Sequence, residues 1–172
     1  GTADMTPDLI SLIFAAAFIV VGGFLVAAET AIAKVSRART EELQREGVKG
    51  ATRLLPLLDD RARYVNVLLF VHMGLFTAAT VLVTREFVAR MPGPVWLQVL
   101  EAAVVMTVVG YVALGVAPRT IGAQHAEAVA MRSAGLARFL AAFLNPITDL
   151  LIIIGNAITP GKGFREGPFA SQ

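Results

Sequence analysis

The chain reads as an all-α membrane protein: three transmembrane helices, a cytosolic helical hairpin and a kinked juxtamembrane helix lying in the interface. Three observations predict this. Hydrophobic residues fill 56% of the 172 positions and charged residues 16%, against roughly 45–50% and about 25% in a soluble domain. Three stretches, one of them carrying a single Glu, approach the roughly 20 apolar residues that a helix needs to cross a bilayer. Lys and Arg are distributed unevenly among the connections between those stretches.

Residues 1–8 are read as an extracellular N-terminus, with Gly1 to Asp4 as a tag remnant and Met5 as a native start. Thr6-Pro7-Asp8 has the character of a helix N-terminus, Thr6 as the cap and Pro7 in the first turn. Residues 9–28 carry no charge, and the first span is placed at about 9–33. Gly22 and Gly23 inside it either admit a close neighbouring helix or are two tolerated glycines. Glu29 sits where the span ends, and Lys34, Arg37 and Arg39 mark the watery side.

Residues 36–60 are expected to form the cytosolic hairpin. Its first arm is polar and stops at Gly47. Its second arm carries Leu54, Leu55, Leu57 and Leu58 around Pro56, which face inward or touch headgroups. Tyr64 to Thr84 is the second span, 21 residues without formal charge. Arg85 to Pro94 is expected to be a short turn. The third span, about 95–117, starts near the interfacial anchor Trp96, holds Gln98 and Glu101, and is expected to break at Pro118. The apolar region of about 126–158 is predicted to lie in the interface rather than cross. Arg138, Asn145-Pro146 and Asp149 divide it, and Leu136, Phe139, Leu140, Phe143, Leu144 and Ile147 form one apolar stripe.

The charge distribution orients the chain. Eight of the 15 Lys and Arg lie between 34 and 63, two in the second connection and five after the third span. The richer side is usually cytoplasmic. This places the N-terminus outside, the hairpin and tail inside, and the protein in the plasma membrane as a multi-pass protein whose immediate partner is the lipid bilayer. The pI near 9.4 reflects only 15 bases against 13 acids, so nucleic acid is not an expected partner. The absence of Cys excludes disulfides, thiolate metal sites and thiol nucleophiles.

Ionisable groups at membrane depth are costly and are candidates for function. His72 lies near the middle of the second span. It is either a metal ligand or, more simply, a neutral imidazole hydrogen-bonded between helices. Glu29 is expected to pair with Arg119, Lys34 or a backbone amide, with ion coordination as the lesser alternative. Glu101 reads as solvated. Pro160-Gly161-Lys162-Gly163 lacks a complete phosphate-loop pattern and reads as a turn. No spacing supports hydrolase chemistry, so the chain is not expected to be an enzyme.

Several stretches carry a resemblance. Ala28-Glu29-Thr30-Ala31, then Ser36-Arg37-Ala38-Arg39 and Glu41-Glu42-Leu43, resemble the "ETA…SRxRLEEL" signature of the DUF21 transmembrane domain. That domain belongs to the CNNM/CorC, or haemolysin C-like, magnesium transport family. Gly47-x-x-Gly50-Ala51-x-x-Leu54-Leu55 resembles the family's "GNxGAxxLL". Gly115-x-x-Pro118-Arg119-Thr120 resembles the end of its "GEIxPKT", one residue shorter between Gly and Pro. Asn156 to Gly161 is similar to the stretch just after the family's last membrane helix. The resemblance implies a homodimer with three spans per chain and a juxtamembrane helical belt. It also implies a cytosolic CBS-domain region, to which residues 161–172 would begin the linker, and Mg²⁺ bound within the membrane for export.

The implied ligands are a Ser before the first-span Glu, an Asn in the second span and the Glu of "GEIxPK". In this sequence those positions are Ala27 or Ala28, His72, and Gly115 or, aligned on the glycine, Val116. With Glu29, these are the candidate metal-site residues. Mg²⁺ requires hard oxygen ligands in octahedral geometry, and imidazole suits softer metals. The expectation is a chain of this family acting in divalent-cation homeostasis or efflux, with Mg²⁺ held weakly or not at all. The competing expectation is a non-transporting scaffold or sensor that partners another membrane protein.

Overall fold

The computed structural model describes residues 7–160 and is almost entirely helical over that range. In chain order the elements are α1 (Pro7–Lys34), α2 (Arg37–Arg45), α3 (Lys49–Leu58), α4 (Arg61–Arg90), α5 (Val95–Gly110), a π-helical segment (Tyr111–Val116), α6 (Ala117–Gln124) and α7 (Ala126–Ile158). Thr6, expected as a cap, and the linker 161–172 lie outside the described residues, as does most of the expected turn at 160–163. Four stretches are long and apolar enough to cross a bilayer: Leu9–Lys34, Arg61–Arg90, Val95–Gln124 and Ala126–Ile158.

Two helices run further than expected. The turn expected at 85–94 is helical as far as Arg90, so only Met91 to Pro94 reverses the chain. Gly93 takes φ +106° there, a conformation that favours glycine. The Gln98 side-chain amide donates to the carbonyls of Met91 and Gly93, fixing the turn on α5. Pro118 does not end the third helix, which carries on to Gln124. A proline ring conflicts with the carbonyl four residues back. Widening the preceding turn removes that conflict, and the Ala117 amide reaches back five residues to the Val112 carbonyl. The result is a π segment immediately before the proline.

Hydrophobic burial is concentrated at the end of the bundle that carries α2 and α3. Leu25, Ile32, Leu54, Leu57, Val65 and Leu68 are buried together with Ala130, Ala134 and Ala137 of α7. Elsewhere Val20, Phe24, Val104, Val108 and Phe143 are more than half exposed, as expected of side chains meeting lipid. Helices in lipid associate through close packing rather than through the hydrophobic effect, and small residues supply it here. A Cβ on Gly23 would lie 2.9 Å from the Ala113 carbonyl oxygen, one on Gly122 2.4 Å from that of Ala27, and one on Gly110 2.7 Å from the Phe76 ring.

The hairpin is held by polar groups. Ser36 caps α2 by accepting from the Arg39 amide, and the Thr40 hydroxyl donates back to the Ser36 carbonyl. Gly47, at φ +86°, turns the chain into α3. Arg37 reaches Asp59 at 2.6 Å and Glu41 at 3.2 Å. The hydrogen bond to Asp59, then the charge of that carboxylate, raises the Arg37 pKa above the usual guanidinium value. Arg61 donates to the carbonyls of Ala33 and Val35, each at 2.9 Å, and so satisfies oxygens left open where α1 ends.

The last helix is continuous through Pro146, whereas the sequence predicts an interruption there. The Thr148 hydroxyl donates to the carbonyls of Leu144 and Asn145 across the proline. α7 starts level with α4. Ala126 shares a cleft with Lys34 and Val35, and Arg61 binds that same end of α1. Further on, Thr148, Leu151, Ile152 and Gly155 share a second cleft with Asn66, Leu69, Phe70 and Met73 of α4. Thr148 is about 33 Å along the helix from Ala126, while Met73 is only about 18 Å from Arg61. The far part of α7 therefore packs beside the first half of α4.

Candidate functional site

The site is built by the packing of α1 on α4. Ala27 and Ala28 are buried on α1, Ala28 within the main core. Their small side chains let α6 and α4 approach, and they bring the next residue, Glu29, against α4. His72 faces it: Nδ1 lies 3.0 Å from Glu29 Oε2, with the two side chains 10% and 12% exposed. The two atoms are at contact distance but out of line for a hydrogen bond, and neither makes one elsewhere. The pair is an electrostatic contact between a carboxylate and an imidazole. Glu29 therefore meets His72 rather than Arg119 or Lys34, the partners expected from sequence. Spacing along one helix cannot show which side chain the neighbouring helix supplies.

On its other side His72 lines an open groove of about 380 Å³ between α4 and the α5–α6 helix. α4 contributes His72, Met73 and Phe76, and α5 contributes Thr107 and Gly110. The π segment adds Tyr111, Leu114 and Gly115, and α6 adds Arg119. With Nδ1 turned to Glu29, Nε2 is the polar atom that His72 can present to the groove.

The candidate ligand positions are thus partly gathered. Glu29 and His72 touch, and His72 and Gly115 share a wall. Ala27 and Ala28 stand on the buried face of α1, and Val116 is exposed. As a donor set this does not fit Mg²⁺. The groove wall offers the hydroxyls of Thr107 and Tyr111, an imidazole and a guanidinium, and no carboxylate. The Thr107 hydroxyl already donates to the Ala103 carbonyl. Mg²⁺ needs near-octahedral oxygen ligation, and Arg119 opposes any cation. Among the described residues no group of three or more His, Cys, Asp or Glu could hold a metal.

Two features are not apparent from the sequence. Glu86 falls in the expected turn, yet it is 4% exposed on α4 with Oε2 3.3 Å from Arg90 Nε. The four-residue spacing of Glu86 and Arg90 is the available signal for a continuing helix. Thr107 and Tyr111 give no signal of their own, because their relation to His72 depends on how α5 sits against α4. Glu101, read as solvated, is half-buried on α5 and is not on the groove wall.

The cyclin M transmembrane N-terminal domain matches residues 13–172. A UPF0053 protein of Mycobacterium tuberculosis and a UPF0053 protein of Mycobacterium bovis are each 40% identical over 151 residues, which is 88% of this chain. The chain spans 34% of the length of each of these relatives. With its all-helical architecture, its four membrane-length helices and a match over nearly all of its length, the chain belongs to the CNNM family as a cyclin M transmembrane domain.

Proposed function

We propose that this chain is the membrane domain of a CNNM-family protein in divalent-cation homeostasis, and that its own membrane site holds Mg²⁺ weakly or not at all. The observation that carries the reading is the groove. It stands where the family's signature residues fall, and it presents an arginine and an imidazole where a dehydrated dication requires oxygens. The same observation favours a second reading, in which the domain is a scaffold or sensor for another membrane protein and does not itself transport.

In this proposal the domain sits in the plasma membrane as a homodimer and continues into a cytosolic CBS-type region. α1, α4 and α5–α6 cross, with the N-terminus outside. α7 lies obliquely at the cytoplasmic face, which its packing on the hairpin and beside the first half of α4 supports. The test is calorimetric titration of the purified dimer with Mg²⁺. We expect no sub-millimolar binding. Sub-millimolar affinity that disappears in His72→Ala would end the proposal.

A further inference from the structure

The groove beside His72 has a charge pattern that its surroundings do not explain. Arg119 lines it and makes no ion pair with any described residue. The neighbouring acid, Glu29, is on the far side of the His72 ring and off the groove wall. The remaining wall is largely hydrocarbon, from Met73, Phe76 and Leu114. Arg119 is exposed beside this hydrocarbon, and an anion that also brings hydrocarbon complements both.

Length identifies the class. Thr107 and Arg119 mark the two ends of the groove along the α5–α6 helix and are twelve positions apart. That is about 18 Å of helix, close to one leaflet's share, about 15 Å, of a hydrocarbon core roughly 30 Å thick. Arg119 also lies about 36 Å along the helix from Val95, which sets it at the level of the headgroups when Val95 is at the opposite interface. Tyr111 lines the groove while 70% exposed, so the groove opens sideways and an acyl chain enters from the bilayer. Basic pockets between membrane helices on the cytoplasmic side commonly hold acidic lipid headgroups.

We propose that the groove between α4 and α5–α6 binds an anionic phospholipid, its phosphate on the Arg119 guanidinium and one acyl chain along Met73, Phe76 and Leu114. This depends on α5–α6 crossing the membrane and not on whether the chain transports an ion.

The test uses the purified chain, delipidated in detergent. Phosphatidylglycerol, phosphatidylcholine and inorganic phosphate are titrated separately, and native mass spectrometry and thermal unfolding are read together. We expect phosphatidylglycerol alone to bind and raise the melting temperature. Arg119→Gln should weaken that binding about tenfold, the scale of one lost hydrogen-bonded charge, and Arg119→Lys should retain most of it. Met73→Trp, which fills the groove from an exposed position on α4, should abolish acyl-chain binding with Arg119 intact. Equal binding of both lipids, or an unchanged affinity in Arg119→Gln or Met73→Trp, would overturn the proposal. So would an equal shift with inorganic phosphate, which would make this an oxyanion site. Lipid-independent cross-linking of Tyr111→Cys between two copies would also overturn it, because a second chain would then cover the groove.

Discussion

Gly122 has no side chain, and the space is taken by the neighbouring helix: a Cβ there would lie 2.4 Å from the Ala27 carbonyl oxygen. The obstacle is backbone, so neither helix can yield by changing a rotamer. Gly122→Val should force α1 and α6 apart at a cost of about 1–3 kcal/mol, as overpacking does, read as a lowered melting temperature in detergent. Gly135→Ala has nothing within 4 Å and serves as the control; an equal loss from both would remove the close-approach account. The Glu29–His72 contact supports a second comparison. Glu29→Gln leaves an amide that still meets the imidazole, whereas His72→Ala leaves the Glu29 carboxyl buried with no polar group beside it. His72→Ala should therefore lower thermal stability more than Glu29→Gln, and the reverse order would remove this account of the pair. Both residues of this pair are legible in the sequence, as rare ionisable groups in apolar stretches. The pairing is not, because a contact between residues 29 and 72 depends on the rotation of two helices about their axes.

Arg61 shows how an element's end depends on a residue outside it. Its guanidinium donates to the carbonyls of Ala33 and Val35, which α1 leaves open where it stops. Arg61→Ala should cost about 1.5–3 kcal/mol, the scale of hydrogen bonds to a charged group, and should open the 34–37 junction to protease. Arg37→Ala removes only exposed ion pairs to Asp59 and Glu41, which water screens to little net worth. If Arg37→Ala proved the more damaging change, the role of Arg61 as the fastening between α1 and α4 would be wrong. The hairpin is legible in the sequence because its devices are local: Ser36 as cap, Gly47 as turn, and a leucine repeat that places Leu54, Leu57 and Leu58 in the core. The helix ends at Arg90 and Gln124 are not. A charged pair, Arg85 and Glu86, resembles an exit from the membrane, and Pro118 resembles a stop, whereas a widened turn absorbs it.

At the scale of the whole molecule, four helices are long and apolar enough to cross a membrane, and we propose that three do. α7 meets the length and hydropathy that a span needs, and the proposed three-crossing arrangement rests on how it packs. Its far half lines a cleft with the near half of α4. Its near half also joins Glu127 to Arg39 of α2 at 3.6 Å and seats Met131 against Gly50 of α3, which ties it to the polar hairpin. Arg138, exposed on α7, lies about 18 Å along the helix from Ala126, a depth at which a charge is costly if the helix stands upright. Residue counts along a sequence do not show which helices α7 packs on; there, only charges and one proline speak against a fourth span. The topology has a direct measurement. Ser171→Cys introduces the chain's single thiol, and an impermeant maleimide should label it only after intact cells are opened. Labelling before opening would give the chain four crossings and place α7 upright in the bilayer.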